Sequence, residues 1–136
     1  MARGGLSFDG IGAQYATYQA DGSVSAVALA SQAVAGYGVE GKVVALAGNG
    51  VAGYGSAGDP VLGKIDKYEL DGYMTVQYAG YTEVPGVSGK LPTAGGFVCV
   101  DGAGAVSKSA SGIAGPARAA SVDNTANVNT VVVLLG

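Results

Sequence analysis

The sequence predicts an all-β fold: a small single-domain β-barrel or β-sandwich of about eight or nine short strands, with an extended N-terminal arm. Three observations carry that prediction. Nineteen valines and eight tyrosines stand against two methionines and no tryptophan, and branched and aromatic side chains suit a pleated, half-buried surface. Asp-Gly occurs four times, at Asp9-Gly10, Asp21-Gly22, Asp71-Gly72 and Asp101-Gly102, with Asn49-Gly50 as a related fifth pair. Asp and Asn tolerate left-handed backbone angles and Gly accepts them freely, so these pairs read as hairpin turns. Between them lie short apolar or alternating runs, the pattern of a chain folded back on itself repeatedly.

Those runs place strands at 11–19, 23–30, 42–47, 60–70, 73–84, 97–100, 105–109, 117–122 and 129–135. The second of them, "SVSAVALA", is alanine-rich and would also suit a helix. Pro85, Pro92 and Pro116 fall between strands, where a missing N–H breaks no ladder. The closing "TVVVLLG" reads as a buried strand, so a C-terminal truncation should be costly. Residues 1–20, with paired glycines and "YATYQ", read as the arm, and 21–136 as one β domain. Deleting residues 2–20 is then expected to spare the fold.

Composition bounds what such a domain does. Glycine and alanine together, 25 and 23 residues, exceed a third of the 136. Such side chains bury little apolar area, so the core should be thin and oligomer contacts useful. A net charge of −3 offers no cationic footprint for DNA or RNA. No run reaches the roughly 18 apolar residues of a membrane helix, and "MARGGLSFDG" lacks the apolar stretch of a signal peptide. Nucleic acid and membrane are therefore not expected partners. The single cysteine, Cys99 in "GFVCVDG", reads as a buried thiol acting as a small hydrophobe. With no histidine in the chain, nothing of that kind is present to activate it.

The densest cluster of polar chemistry is "GKIDKYELDGYMTVQYAGY", 63–81. Acids among aromatics suggest a sugar-cleaving cleft or a calcium loop, and the same letters suit a hairpin around Asp71-Gly72. With a two-residue turn there, Leu70 pairs with Tyr73, Tyr68 with Thr75 and Asp66 with Gln77, while Glu69, Lys67 and Ile65 oppose Met74, Val76 and Tyr78. Asp66 and Glu69 then point to opposite faces. Glycoside cleavage needs two carboxyl groups about 5–9.5 Å apart, converging on one sugar, which this hairpin does not supply. The acid spacing likewise misses the calcium-loop pattern. Lys64, Asp66, Lys67 and Glu69 read instead as alternating charges that guard a sheet edge.

Other motifs thin out in the same way. The pattern G-x-G-x-x-G appears at 36–41, 48–53 and 53–58, but a dinucleotide site needs a strand before it and a helix after it, and "GYGSAG" runs into Pro60. The pentapeptide "VAGYG" recurs at 34–38 and 51–55 without a third copy, which argues for local duplication, not a solenoid. Neither a catalytic group, a metal site nor a cofactor is predicted, and the protein is not expected to be an enzyme. The tyrosines remain, a residue type enriched at interfaces.

The middle of the chain, "VEGKVVALAGNGVAGYGSAGDPVLGKIDKYELDGYMTVQYAGYTEVPGV" followed by "GKLPTAGGFVCVDGAGAVSKSA", resembles the small decoration, or cement, proteins of tailed-bacteriophage capsids. The matching positions are Gly58, Asp59, Val61, Gly63 and Ile65, then Val98, Val100, Asp101, Gly102, Gly104 and Val106. The resemblance covers about 39–110. It implies a β-barrel or β-tulip module made in the host cytoplasm and seated on the outer capsid surface. It also implies a homo-oligomer, commonly a trimer, that bridges subunits of the major capsid protein. Candidate partner contacts are Arg3, Leu6 and Phe8 of the arm together with Tyr15, Tyr18, Tyr73, Tyr78 and Tyr81. A second expectation, of another class, is a β-sandwich recognition module in which Tyr73, Tyr78 and Tyr81 stack against a carbohydrate or host surface.

Overall fold

The structure, a computed structural model, describes residues 12–24, 39–69, 71–109, 117–123 and 129–135. They form nine strands: β1 (Gln14–Ala20), β2 (Val43–Gly48), β3 (Val51–Gly53), β4 (Gly63–Tyr68), β5 (Tyr73–Pro85), β6 (Val98–Val100), β7 (Val106–Lys108), β8 (Arg118–Asp123) and β9 (Thr130–Leu135). Eight of these lie on predicted segments. Strand β3 was not predicted, because three residues inside "GNGVAG" are too few to show alternation. The strand expected at 23–30 does not start as one. Residues 22–24 are helical, and the remainder of that segment is outside the described residues.

Asp21 explains this start. Its Oδ1 accepts the Ser23 N–H at 2.9 Å, the Ser23 hydroxyl at 2.5 Å and the Val24 N–H at 3.4 Å. It is thus a helix N-cap, a use of Asp that competes with the hairpin turn expected of Asp21-Gly22.

Five strands close into a barrel in the order β1-β3-β2-β4-β5, with β5 returning to β1. The closing strand is β1, antiparallel to β5 over six pairs from Gln14↔Ala79 to Gln19↔Tyr73, and parallel to β3 at Gln19↔Val51 and Ala20↔Ala52. This corrects the extent of the arm. Residues 14–20 of it are part of the barrel wall, and residues 1–11 lie outside the described residues. Alternation placed a strand here, but its partners are some thirty (β3) and sixty (β5) residues away in sequence, which no local pattern shows.

Strand β5 is thirteen residues long and serves two layers. Up to Ala79 it pairs with β4 and β1, and from Gly80 to Pro85 with β9, which pairs in turn with β8. Gly80 sits at the change of partner with φ +89°, and a Cβ there would lie 2.5–2.7 Å from backbone atoms of Gly12 and Ala13. Only glycine fits this position without displacement. The β6–β7 hairpin then bridges β8 through Phe97↔Arg118 and the end of β5 through Gly86↔Val106. At the first bridge the Arg118 guanidinium lies over the Phe97 ring, 5.0 Å from its centroid.

Two cores result. Inside the barrel are Val24, Val39, Val44, Ala52, Tyr54, Ile65, Tyr68, Met74 and Val76. Between β5, β8, β9 and the β6–β7 hairpin lies a valine-rich second core that also takes Val43 and Ala45. Strand β2 separates the two, sending alternate residues to each, as a strand buried on both sides does. Cys99 is buried and unbridged, with Sγ 3.6–3.8 Å from oxygens of Ser107 and Lys108.

The β4–β5 hairpin departs from the expected register. Glu69 N–H donates to the Tyr73 carbonyl at 2.8 Å and Gly72 N–H to the Glu69 carbonyl at 3.1 Å, with Gly72 at φ +90°. Glu69 and Tyr73 therefore face each other across the end of the hairpin, one residue further apart in sequence than a two-residue turn allows, with Gly72 left-handed. Tyr68 faces Met74 and Lys67 faces Thr75, and a bulge at Asp66 keeps Ile65 opposite Val76. The expected register placed Lys67 and Glu69 on the face of Met74 and Val76, which would bury charge. A one-residue slip reverses faces, and the added loop residue removes that conflict. Asn49-Gly50, by contrast, is a two-residue turn between β2 and β3, with Gly50 at φ +68°.

Candidate protein-contact face

Several aspartates, Asp71 of the 63–81 cluster among them, are engaged in building turns. Asp59 Oδ2 accepts Ser56 N–H at 2.9 Å, Asp71 Oδ1 accepts Tyr73 N–H at 3.0 Å, and Asp101 Oδ1 accepts the N–H groups of Ala103 and Ala105 at 2.8 and 3.0 Å. With Asp21, four aspartates bind backbone donors that strands leave unpaired at their ends. Glu40 Oε2 accepts Tyr68 N–H at 3.3 Å, and Glu69 lies 3.7 Å from Lys67 on an exposed surface. No group of three metal-ligating side chains occurs among the described residues.

Strand β4 pairs with β5 along its length but, among the described residues, with β2 only at Gly63 and Lys64, so Asp66 and Lys67 lie on the part of β4 that β2 does not pair. Lys64 is half-buried and its Nζ donates to Thr82 Oγ1 at 3.1 Å. Asp66, Lys67 and Glu69 are all exposed, so Asp66 and Glu69 are not divided between a buried and an open face.

Two predicted tyrosines share one surface. On the outward side of β1 and β5, Gln19 pairs with Tyr73, Thr17 with Thr75 and Tyr15 with Gln77. Met74 and Val76 between them point into the barrel core. Tyr15 is 49% exposed and Tyr73 46%. They stand at opposite ends of this face, four residues or about 13 Å apart along the strands, with the Thr17–Thr75 pair between them. Across these two strands the face carries no charged side chain, and Lys67 borders it from β4. Gln77 is buried, and its Nε2 donates to the carbonyls of Ala79 at 3.0 Å and Tyr81 at 3.3 Å. It braces the bend in β5 and leaves the tyrosines as the raised parts of the surface.

The other candidates lie elsewhere. Tyr78 is the extra residue where Tyr15 pairs with Gln77 and Gln14 with Ala79, a β-bulge. Its hydroxyl lies 3.1 Å from Gln14 Oε1 as donor. Tyr18 packs against the inner core, which removes it from the outward surface. Tyr81 is half-buried on the part of β5 that pairs with β9. Tyr73, Tyr78 and Tyr81 thus occupy a barrel face, a bulge and a second sheet instead of one stacking platform. Arg3, Leu6 and Phe8 lie outside the described residues. Leu46, 60% exposed, was missed. It lies two residues beyond buried Val44 in the same alternation and pairs with Ala52 of β3, so alternation alone would have placed it inside.

Tyr54 is a functional type in a structural place. It is buried in the inner core, and its hydroxyl has no hydrogen-bond partner among the described residues. Burial, with a smaller push from the Asp21 carboxylate, raises its pKa to about 12.

Compared with known proteins, the chain matches no protein family and no curated protein. What the coordinates define is a class: an all-β protein built on a five-stranded closed barrel with an added β layer.

Proposed function

We propose that this protein is a non-enzymatic structural component of a bacteriophage virion. It decorates the outer capsid surface and stabilises the shell by bridging subunits of the major capsid protein. It works as a homo-oligomer, with the trimer of the resembled family as the first expectation. The observation that carries the reading is the uncharged outer face of β1 and β5, with exposed Tyr15 and Tyr73 held on paired strands. Rigid tyrosines flanking small polar groups suit a protein surface, since they bury area at low entropic cost. Two further features support it. The resembled positions Asp59 and Asp101 build turns, and Val61, Ile65, Val98, Val100 and Val106 are core, so the shared letters are those that specify a fold. A valine-rich core of small side chains also gains from contacts with neighbours, and many weak contacts on a shell add through avidity.

The test is binding of the purified protein to expanded capsids that lack it, followed by cryo-electron microscopy. Added density of this mass outside the shell, lost when Tyr15 and Tyr73 are both changed to Ala, is the expected result. Absence of binding to such capsids, together with glycan-array binding lost in the same variant, would move the assignment to carbohydrate recognition.

A further inference from the structure

We propose that two copies of this chain pair antiparallel through the open edge of β1, about a two-fold axis at Ala16. On one side β1 is paired with β5 along its length, whereas on the other, among the described residues, only Gln19 and Ala20 are paired, with β3. The direction of each residue's backbone groups follows from three hydrogen bonds. The N–H groups of Gln19 and Asp21 donate toward the β2–β3 side, to Gly50 at 2.8 Å and Ala52 at 3.0 Å, and that of Ala20 donates the other way, to Gly72 at 2.8 Å. With a period of two, Tyr15 and Thr17 present their N–H and C=O to the open side, past the hairpin tip at Asn49-Gly50. No strand covers that stretch among the described residues.

Exposed edges are ordinarily blunted by charge, proline or a bulge in the strand. Residues 14–20, "QYATYQA", contain neither a charge nor a proline, and the bulge here belongs to β5. The open edge also complements itself. Set antiparallel about Ala16, Tyr15 of one copy faces Thr17 of the other, and the two pairs exchange four N–H···O=C bonds. The available length agrees. Along the lane beside β1, the hairpin tip blocks the position next to Gln19, and the two-fold places the second copy's hairpin at the other end. Five residues, 14–18, remain. Chain preceding residue 14 must leave that lane, and it does: Gly12 has φ +74°, and Gly12 and Ala13 lie against Gly80 on the β5 flank. Pairing would set Tyr15 beside Thr17 of the second copy and join two contact faces into one. The contact is small for a stable dimer, so its formation depends on concentration. It does not depend on the capsid assignment, and between oligomers it would serve as a link.

Sedimentation and residue-resolved amide exchange across a concentration series test it. At dilution the Ala16 and Tyr18 amides, directed at β5, should be protected while those of Tyr15 and Thr17 exchange freely. At high concentration the mass should double and the Tyr15 and Thr17 amides should slow by at least about tenfold. Thr17→Pro removes a donor on the open edge alone, and Thr17→Lys adds a charge there; each should prevent that doubling at high concentration. If Thr17→Pro does not fold, Thr17→Lys decides. A mass that doubles at no concentration would overturn the proposal, as would a doubling indifferent to Thr17→Lys. Protection of Tyr15 and Thr17 in the dilute monomer would do the same, since the chain itself would then cover the edge.

Discussion

The backbone N–H of Tyr54 donates to the hydroxyl of Ser23 at 3.2 Å, and that hydroxyl is itself bound to Asp21. The start of a helix is thereby fastened to the end of β3. Asp21→Ala removes the cap and frees Ser23, and should lower stability by about 1–2 kcal/mol, whereas Asp21→Asn should retain part of it. Urea unfolding at neutral pH measures both.

Gly53 lies directly beneath the Asp21 carboxylate, so a Cβ there would collide with it. Gly53→Ala should cost on the order of 1–3 kcal/mol through overpacking. In an Asp21→Ala background the same change should cost clearly less, because the obstructing group is gone. A double-mutant cycle reads that coupling, and strict additivity would show that the contact does not limit the site.

Tyr54 sets an alkaline limit. Its folded pKa, about 12, is above the ordinary 10. Below pH 10 both folded and unfolded chains hold the proton, and the contribution is complete. As pH rises from 10 toward 12 the unfolded chain releases it while the folded one does not, so stability falls, by an order of 2–3 kcal/mol across the window. Tyr54→Phe should flatten that part of the profile. At pH 7 it should leave stability unchanged or raise it by up to about 1 kcal/mol, because the hydroxyl lost is buried and unpartnered among the described residues. Unfolding midpoints of the two proteins at pH 7, 9 and 11 give the comparison.

Deleting residues 2–20 removes β1, six pairs with β5 and the closure onto β3. The cooperative thermal transition should be lost. A deletion of 2–11 retains every described strand and should keep it. Calorimetry of the two truncations separates a barrel strand from a detachable arm.

Strand positions were legible because alternation, branched side chains and turn dipeptides are local signals. The same holds for Asp71 and Asp101 as turn formers and for Cys99 as buried. Asp21 was misread because one side chain serves a turn and a helix cap equally well, and local sequence does not choose between them. The hairpin register was missed by a single loop residue. Burial corrected it, since Ile65, Tyr68, Met74 and Val76 all go inside. Among the candidate contacts, residue type alone did not separate Tyr15 and Tyr73 from Tyr18, whose ring turns inward.

By itself the sequence determined that this chain would be all-β, where most of its strands would run, and that Asp71 and Asp101 would form turns. These follow from each residue's backbone preference and its immediate neighbours. Tertiary structure alone decided that β1 closes the barrel, that β5 serves two layers, that two tyrosines share an outward face and that no described strand covers the edge at Tyr15 and Thr17. Each depends on which distant strand becomes a neighbour. That choice is made by burying two separate sets of valines on either side of β2, and it leaves no mark in any short stretch of the chain.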